Sequence, residues 1–223
     1  MNNLTRSKII IYGTLAVIAC FILAIIFYAG GSYSNPSAQG YTFFGNFFSD
    51  LGMLKSDNGQ NNLKSQIFFI LAIFTASFVQ ITIFVSLKNR LASIQNQGLV
   101  NFAYKLGLIS SIIFLGIGIF PADRLDTLHD WSMLLSFIGL MICLIIFGRQ
   151  LIKFDSSLRS NGWSFLLTAV IILILLVIAI TENLAPTPNR TLAHIIMQKI
   201  TVIDLLATIL LYGVGLSRPK NSR

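Results

Sequence analysis

His129 and His194 are the two histidines of this 223-residue chain, and His129 stands among acidic residues. An imidazole takes or gives a proton near neutral pH and ligates metals, and a carboxylate serves as base or hard ligand. Asp130 follows His129 directly, with Asp123 and Asp126 just before it. His194, Gln198 and Thr201 recur at i, i+4 and i+7, so they share one helical stripe, while Lys199 points well away. His129, Ser132 and Ser136 make a second stripe. If the two face each other, they open a polar pocket at one end of a helical bundle. Lys199 and Asp204 lie inside an apolar run, where ionisable groups are costly and normally meet a partner or the interior. Their i, i+5 spacing is poor for a direct pair, so each needs a partner elsewhere.

The elements that must position these residues are six apolar runs, at about 8–30, 65–87, 102–120, 130–148, 163–181 and 192–216. About 20 apolar residues at ~1.5 Å rise cross a hydrocarbon core of about 30 Å, and lipid offers the backbone no hydrogen-bond partner, so each run should be a helix. Hydrophobic residues make up 55% and charged residues 11% of the chain, with mean hydropathy +0.77, far from soluble composition. The expected fold is all-α: a polytopic membrane protein with one six-helix domain over 1–223.

Orientation follows from the basic residues. Eleven of sixteen Lys and Arg (Arg6, Lys8, Lys88, Arg90, Lys105, Arg149, Lys153, Arg159, Arg218, Lys220 and Arg223) fall on one side, and four (Lys55, Lys64, Arg124 and Arg190) on the other. The richer side should be cytoplasmic, with both termini there, in a plasma or inner membrane. The net charge of +8 is carried by short juxtamembrane segments that attract anionic headgroups, so membrane lipids are the expected partners and nucleic acid is not. The same topology gathers Asp50, Asp57, Asp123, Asp126, Asp130, Glu182 and both histidines on the external face. Oligomeric state is not readable.

Val17-Ile18-Ala19-Cys20 after a basic start is like a lipoprotein-processing site, but apolar sequence continues to Tyr28, so the first run reads as a retained span. Cys20 and Cys143 lie within spans and suggest neither a disulfide framework nor a thiolate metal site. The external segment 31–64 is the longest connection. Its Phe43-Phe44-Gly45-Asn46-Phe47-Phe48 stretch needs an apolar home, so the segment should lie against the bundle as an interfacial or re-entrant piece. Pro121 should end the third span. Asn189-Arg190-Thr191 is a glycosylation sequon close to the membrane. Simpler roles stand beside the chemical ones: Asp123 and Asp126 as loop or capping acids, the histidines as interfacial hydrogen-bonding groups, and Ser77, Gln80, Ser132 and Ser136 as helix-packing polar residues.

At Phe48-Ser49-Asp50-Leu51-Gly52, Asn61 to Ile70, Gly116-Ile117-Gly118-Ile119-Phe120-Pro121 and His129, the chain resembles the six-span domain-of-unknown-function family 998. The Ser-Asp-x-Gly element and a His opening the fourth span also resemble the broader DRAM/Frag/Sfk-like membrane proteins, a resemblance that implies lipid handling. A distant similarity to the alkaline ceramidases and progestin/adiponectin receptors implies parts for Ser49, Asp50, His129 and His194 in a zinc amidase site. Gln198 stands where those proteins have a further His, so Asp130 or Asp123 would complete the ligand set.

Three functions compete. The first is lipid-related binding or transport-like activity in an external polar pocket whose candidates include Ser49, Asp123, Gln198, Lys199 and Asp204. The second is a metal-dependent hydrolase of a lipid headgroup or amide, with Asp50, His129 and His194 on zinc and Asp130 or Asp123 as base. The third is a single-haem electron carrier using both histidines. Whether the chain is an enzyme is left open.

Overall fold

The computed structural model describes residues 2–93 and 97–217, so Arg218, Lys220 and Arg223 of the basic set lie outside the described residues. Its helices are α1 (Asn3–Ile26), α2 (Leu63–Arg90), α3 (Gln97–Phe114), α4 (Gly116–Ile119), α5 (Asp126–Phe154), α6 (Arg159–Leu184) and α7 (Pro188–Leu216), with 3₁₀ turns at Ser49–Gly52 and Ser156–Leu158. Among the described residues there is no strand, only an isolated bridge between Lys55 and Asn61. Six helical segments are long and apolar enough to cross a membrane, α3 and α4 together making the third. The chain is a multi-pass membrane protein.

The helices overrun most of the apolar runs because backbone hydrogen bonding continues into polar flanks. Local chemistry sets several ends. The Asn2 side chain accepts from the Thr5 N–H at 2.8 Å and caps α1. Pro188 opens α7, where a missing N–H costs nothing. α1 stops at Ile26, short of the 8–30 run, and Gly30 and Gly31 follow with φ of 119° and 85°. A Cβ on Gly31 would lie 2.7 Å from the Asp57 carbonyl carbon, so only glycine lets the chain turn back there.

Each long helix packs mainly on its two neighbours, in the order α1, α2, α3, α5, α6, α7, and α7 closes on α1. At the closure Ser7 donates to the Gly213 carbonyl at 2.7 Å, so both described ends of the chain meet on one face, the terminal face. Residues 31–62 cover the opposite face as a cap. α5 and α6 cross where Gly148 meets Gly162; a Cβ on Gly148 would stand 2.9 Å from the Gly162 carbonyl oxygen. On the terminal face Arg90 Nε donates to Asp155 Oδ2 at 2.6 Å, with Ser157 completing the buried cluster. Outward residues such as Ile22, Phe74, Phe78, Ile112, Leu167 and Leu211 are exposed, as lipid-facing side chains are.

Candidate functional site beneath the cap

The Phe-rich stretch divides its rings. Phe48 is buried, 5.3 Å from Phe21 of α1 and stacked on Tyr41, and Phe47 meets the edge of His194 at 4.9 Å. Phe43 and Phe44 remain exposed, so only half of the stretch finds an interior home, and the other two rings suit the interfacial layer.

Asn46, fully buried, organises the cap. Its amide nitrogen donates to Asp57 Oδ2 at 2.9 Å and the Gly31 carbonyl at 3.0 Å, and reaches Tyr28 Oη and Asp50 Oδ2 at 3.3 Å; its oxygen accepts from the Thr42 N–H. Asn62, at the start of α2, accepts from the Ala29 N–H and donates to the Met53 carbonyl at 3.1 Å. Asp123 accepts the Leu54 and Lys55 N–H groups at 2.9 and 3.2 Å and ties the cap to the α4–α5 connection. Asp126 accepts from the neighbouring Thr127 N–H.

Asp50, on the 3₁₀ turn, accepts the Phe47 N–H at 2.7 Å. Burial, and then the Asp57 carboxylate, push its carboxyl up to about 7, against the Phe47 and Asn46 N–H groups and the Lys199 charge. Burial also raises Asp57, with bonds from Tyr28 and Asn46 opposing it. The phenols of Tyr28 and Tyr41 are pushed above their usual range, by burial first and the Asp50 charge second.

Two consecutive residues of α7 grip the cap. Gln198 Oε1 accepts the Phe48 N–H at 2.6 Å. The Lys199 amine donates to the Asn46 carbonyl at 2.6 Å and to Tyr41 Oη, and lies 4.1 Å from the Phe48 ring centroid. Asp204, the other intramembrane ionisable group, accepts from Thr168 Oγ1 at 2.7 Å across the α6–α7 contact. Lys199 and Asp204 thus find separate partners.

Both histidines are buried with one ring nitrogen engaged and the other, Nε2, without a partner. His129 Nδ1 bonds the Phe120 carbonyl at 2.8 Å, and His194 Nδ1 bonds Glu182 Oε2 at 2.5 Å. Both partners accept, so Nδ1 carries a proton, and in the neutral form of either ring the lone pair lies on Nε2. Asp130 is exposed at the same end, within electrostatic reach of both rings and Glu182.

The ring of helices encloses an axial cavity of about 120 Å³ to which every long helix contributes. Ser49, His129 and Gln198 line its cap end, and Leu87, Phe147 and Tyr212 its other end. Its walls are almost wholly apolar, which differs from a polar pocket between two facing stripes. The reason lies in the hydroxyls: Ser132, Ser136 and Thr201 bond back to the carbonyls of Leu128, Met133 and Met197 on their own helices. Polarity is concentrated at the cap rim, with Gln80 and Thr208 as polar residues deeper in the lining.

Among the described residues no three His, Cys, Asp or Glu side chains come together as a group able to hold a metal ion. Asp50 is held by the cap, His129 by Phe120 and His194 by Glu182, so the three proposed zinc ligands serve separate networks. Asn46 and Glu182 hold site side chains in place; the sequence put Glu182 on the external face without pairing it to His194, and assigned Asn46 no role. Glu182 stands twelve residues before His194 across the α6–α7 turn, a hairpin spacing that offers a signal; Asn46 offers only its place among the phenylalanines. No protein-family model, no curated protein and no solved structure matches the chain.

Proposed function

We propose that the protein binds a single-chain amphiphile, as a lipid-binding or transport-like membrane protein, with the alkyl chain in the axial cavity and the polar head at its cap end. The observation that carries this reading is the apolar cavity with a buried, unpartnered imidazole nitrogen on a residue of its rim. An apolar void stays dry and favours an apolar guest, and at about 10–15 Å³ per water-sized sphere this one offers on the order of ten such spheres along a narrow path. A buried acceptor left unpaired favours a guest that donates a hydrogen bond. The Nδ1–H tautomer of His129 therefore selects a hydroxyl or amide head over a carboxylate or phosphate. The basic residues of the terminal face support a cytoplasmic assignment for that side and for both termini, which puts the cap outside. The resemblance to the DRAM/Frag/Sfk-like membrane proteins, which implies lipid handling, is in keeping with this reading.

Native mass spectrometry of the detergent-solubilised protein with monolaurin, a hydroxyl-headed single-chain lipid, tests the reading. Wild type should retain monolaurin in preference to laurate, and Ala76→Phe or Leu205→Trp, which fill the cavity, should lower retention roughly tenfold. No retention by wild type, or equal retention by both filled variants, overturns it.

A hydrolytic reading has one observation in its favour: Glu182 orients His194 and leaves Nε2 as a base. Laurate release from monolaurin that disappears in His194→Gln would support it; no release would remove it.

A further inference from the structure

A second candidate site lies on the terminal face, on the outside of the bundle, and is independent of the axial cavity. α3, α5 and α6 there border a groove of about 620 Å³, lined by Leu99, Ile145, Arg149, Lys153, Trp163 and Leu166 among others. Its apolar part follows Ile145 and Leu166 toward the middle of the bundle. Its polar end is made by Arg149 and Lys153, i and i+4 on the last turns of α5, so both cations stand on one helical face. Trp163, 60% exposed on the second turn of α6, sits beside them at the depth where indoles meet headgroups.

The charge balance on this face is one-sided. Among the described residues Asp155 is the only carboxylate side chain there, and Arg90 and Ser157 occupy it: burial pushes its carboxyl up, but their hydrogen bonds and the Arg90 charge outweigh that and hold it below its usual range. Arg149 and Lys153 are exposed and form no ion pair among the described residues. Lys153 instead extends over the Phe154 ring, 4.9 Å from its centroid. Two adjacent cations without a protein anion, above an apolar channel of membrane depth, match one occupant in both charge and shape.

We propose that this groove binds one anionic phospholipid of the adjoining leaflet, its phosphate between Arg149 and Lys153, an acyl chain along Ile145 and Leu166, and Trp163 against the glycerol region. Basic pockets between spans attract anionic headgroups, and each Lys or Arg adds to the attraction.

The test is full-length protein in nanodiscs of palmitoyl-oleoyl phosphatidylcholine with phosphatidylglycerol of the same chains, extracted gently and weighed by native mass spectrometry. Wild type should retain one phosphatidylglycerol in preference to phosphatidylcholine, less at high salt. Arg149→Gln with Lys153→Gln should lower that retention roughly tenfold or more, with an unchanged melting temperature. Ile145→Trp, which fills the groove from an exposed position, should lower retention without altering charge. Lys105→Gln with Arg159→Gln, on the same face but outside the groove lining, should leave it intact. Equal retention of the two lipids by wild type overturns the proposal. Loss in the Lys105/Arg159 control matching that in the Arg149/Lys153 variant also overturns it, because net charge alone would then explain binding.

Discussion

The amine of Lys199 donates to the backbone carbonyl of Asn46 at 2.6 Å, joining α7 to a cap residue 153 positions earlier. This bond and the Gln198–Phe48 bond hold the cap over the mouth of the axial cavity, so access to the cavity and docking of the cap are one structural question. Lys199→Met keeps the buried stem but leaves the Asn46 carbonyl and the Tyr41 hydroxyl without that donor. It should cost about 1–3 kcal/mol, read as a lower melting temperature in detergent. Hydrogen exchange should accelerate across residues 41–52 while α5 and α6 keep their protection.

Asp50 makes cap stability depend on pH. Its carboxyl, raised from 3.8 to about 7, binds a proton in the folded protein over a range where the unfolded chain has released it. Stability from this group is therefore greatest at the acid end and falls as pH rises from about 4 to about 7, by up to roughly 4 kcal/mol at 1.36 kcal/mol per unit. Asp50→Asn removes the titration. The variant should melt above wild type at pH 8 and show a flatter profile between pH 5 and 8. A profile as steep as wild type would contradict the assignment to Asp50.

The Arg90–Asp155 pair on the terminal face has the opposite sign. Its carboxyl is held low, so its stabilisation is present at neutral pH and is lost as pH falls below the ordinary carboxylate range. Asp155→Asn leaves a buried guanidinium without its counter-charge and should cost about 3–5 kcal/mol. Arg90→Met combined with Asp155→Leu should recover part of that loss, a pattern that double-mutant thermal unfolding reads directly.

Asn62 joins the end of α1 to the cap through Ala29 and Met53. Asn62→Ala orphans both groups, and a loss of roughly 2 kcal/mol is expected. Limited proteolysis should then cut within residues 53–61 faster than in wild type, with the transmembrane fragments intact.

Sequence alone determined the number and helical character of the spans. That information is local: a run of apolar residues long enough to cross lipid must satisfy its own backbone, whatever its neighbours do. The gathering of the acids and histidines toward one end of the bundle was legible for the same reason, because alternating spans return to the same face. Tertiary structure alone decided what those residues touch. Lys199 meets Asn46, and His194 meets Glu182, only because the ring closes and the cap folds over it. Whether Ser132 faced a pocket or its own Leu128 carbonyl was a rotamer choice that spacing does not encode. The apolar axial cavity is likewise a property of six helices closing on one another. No single helix contains it, so no stretch of sequence displays it.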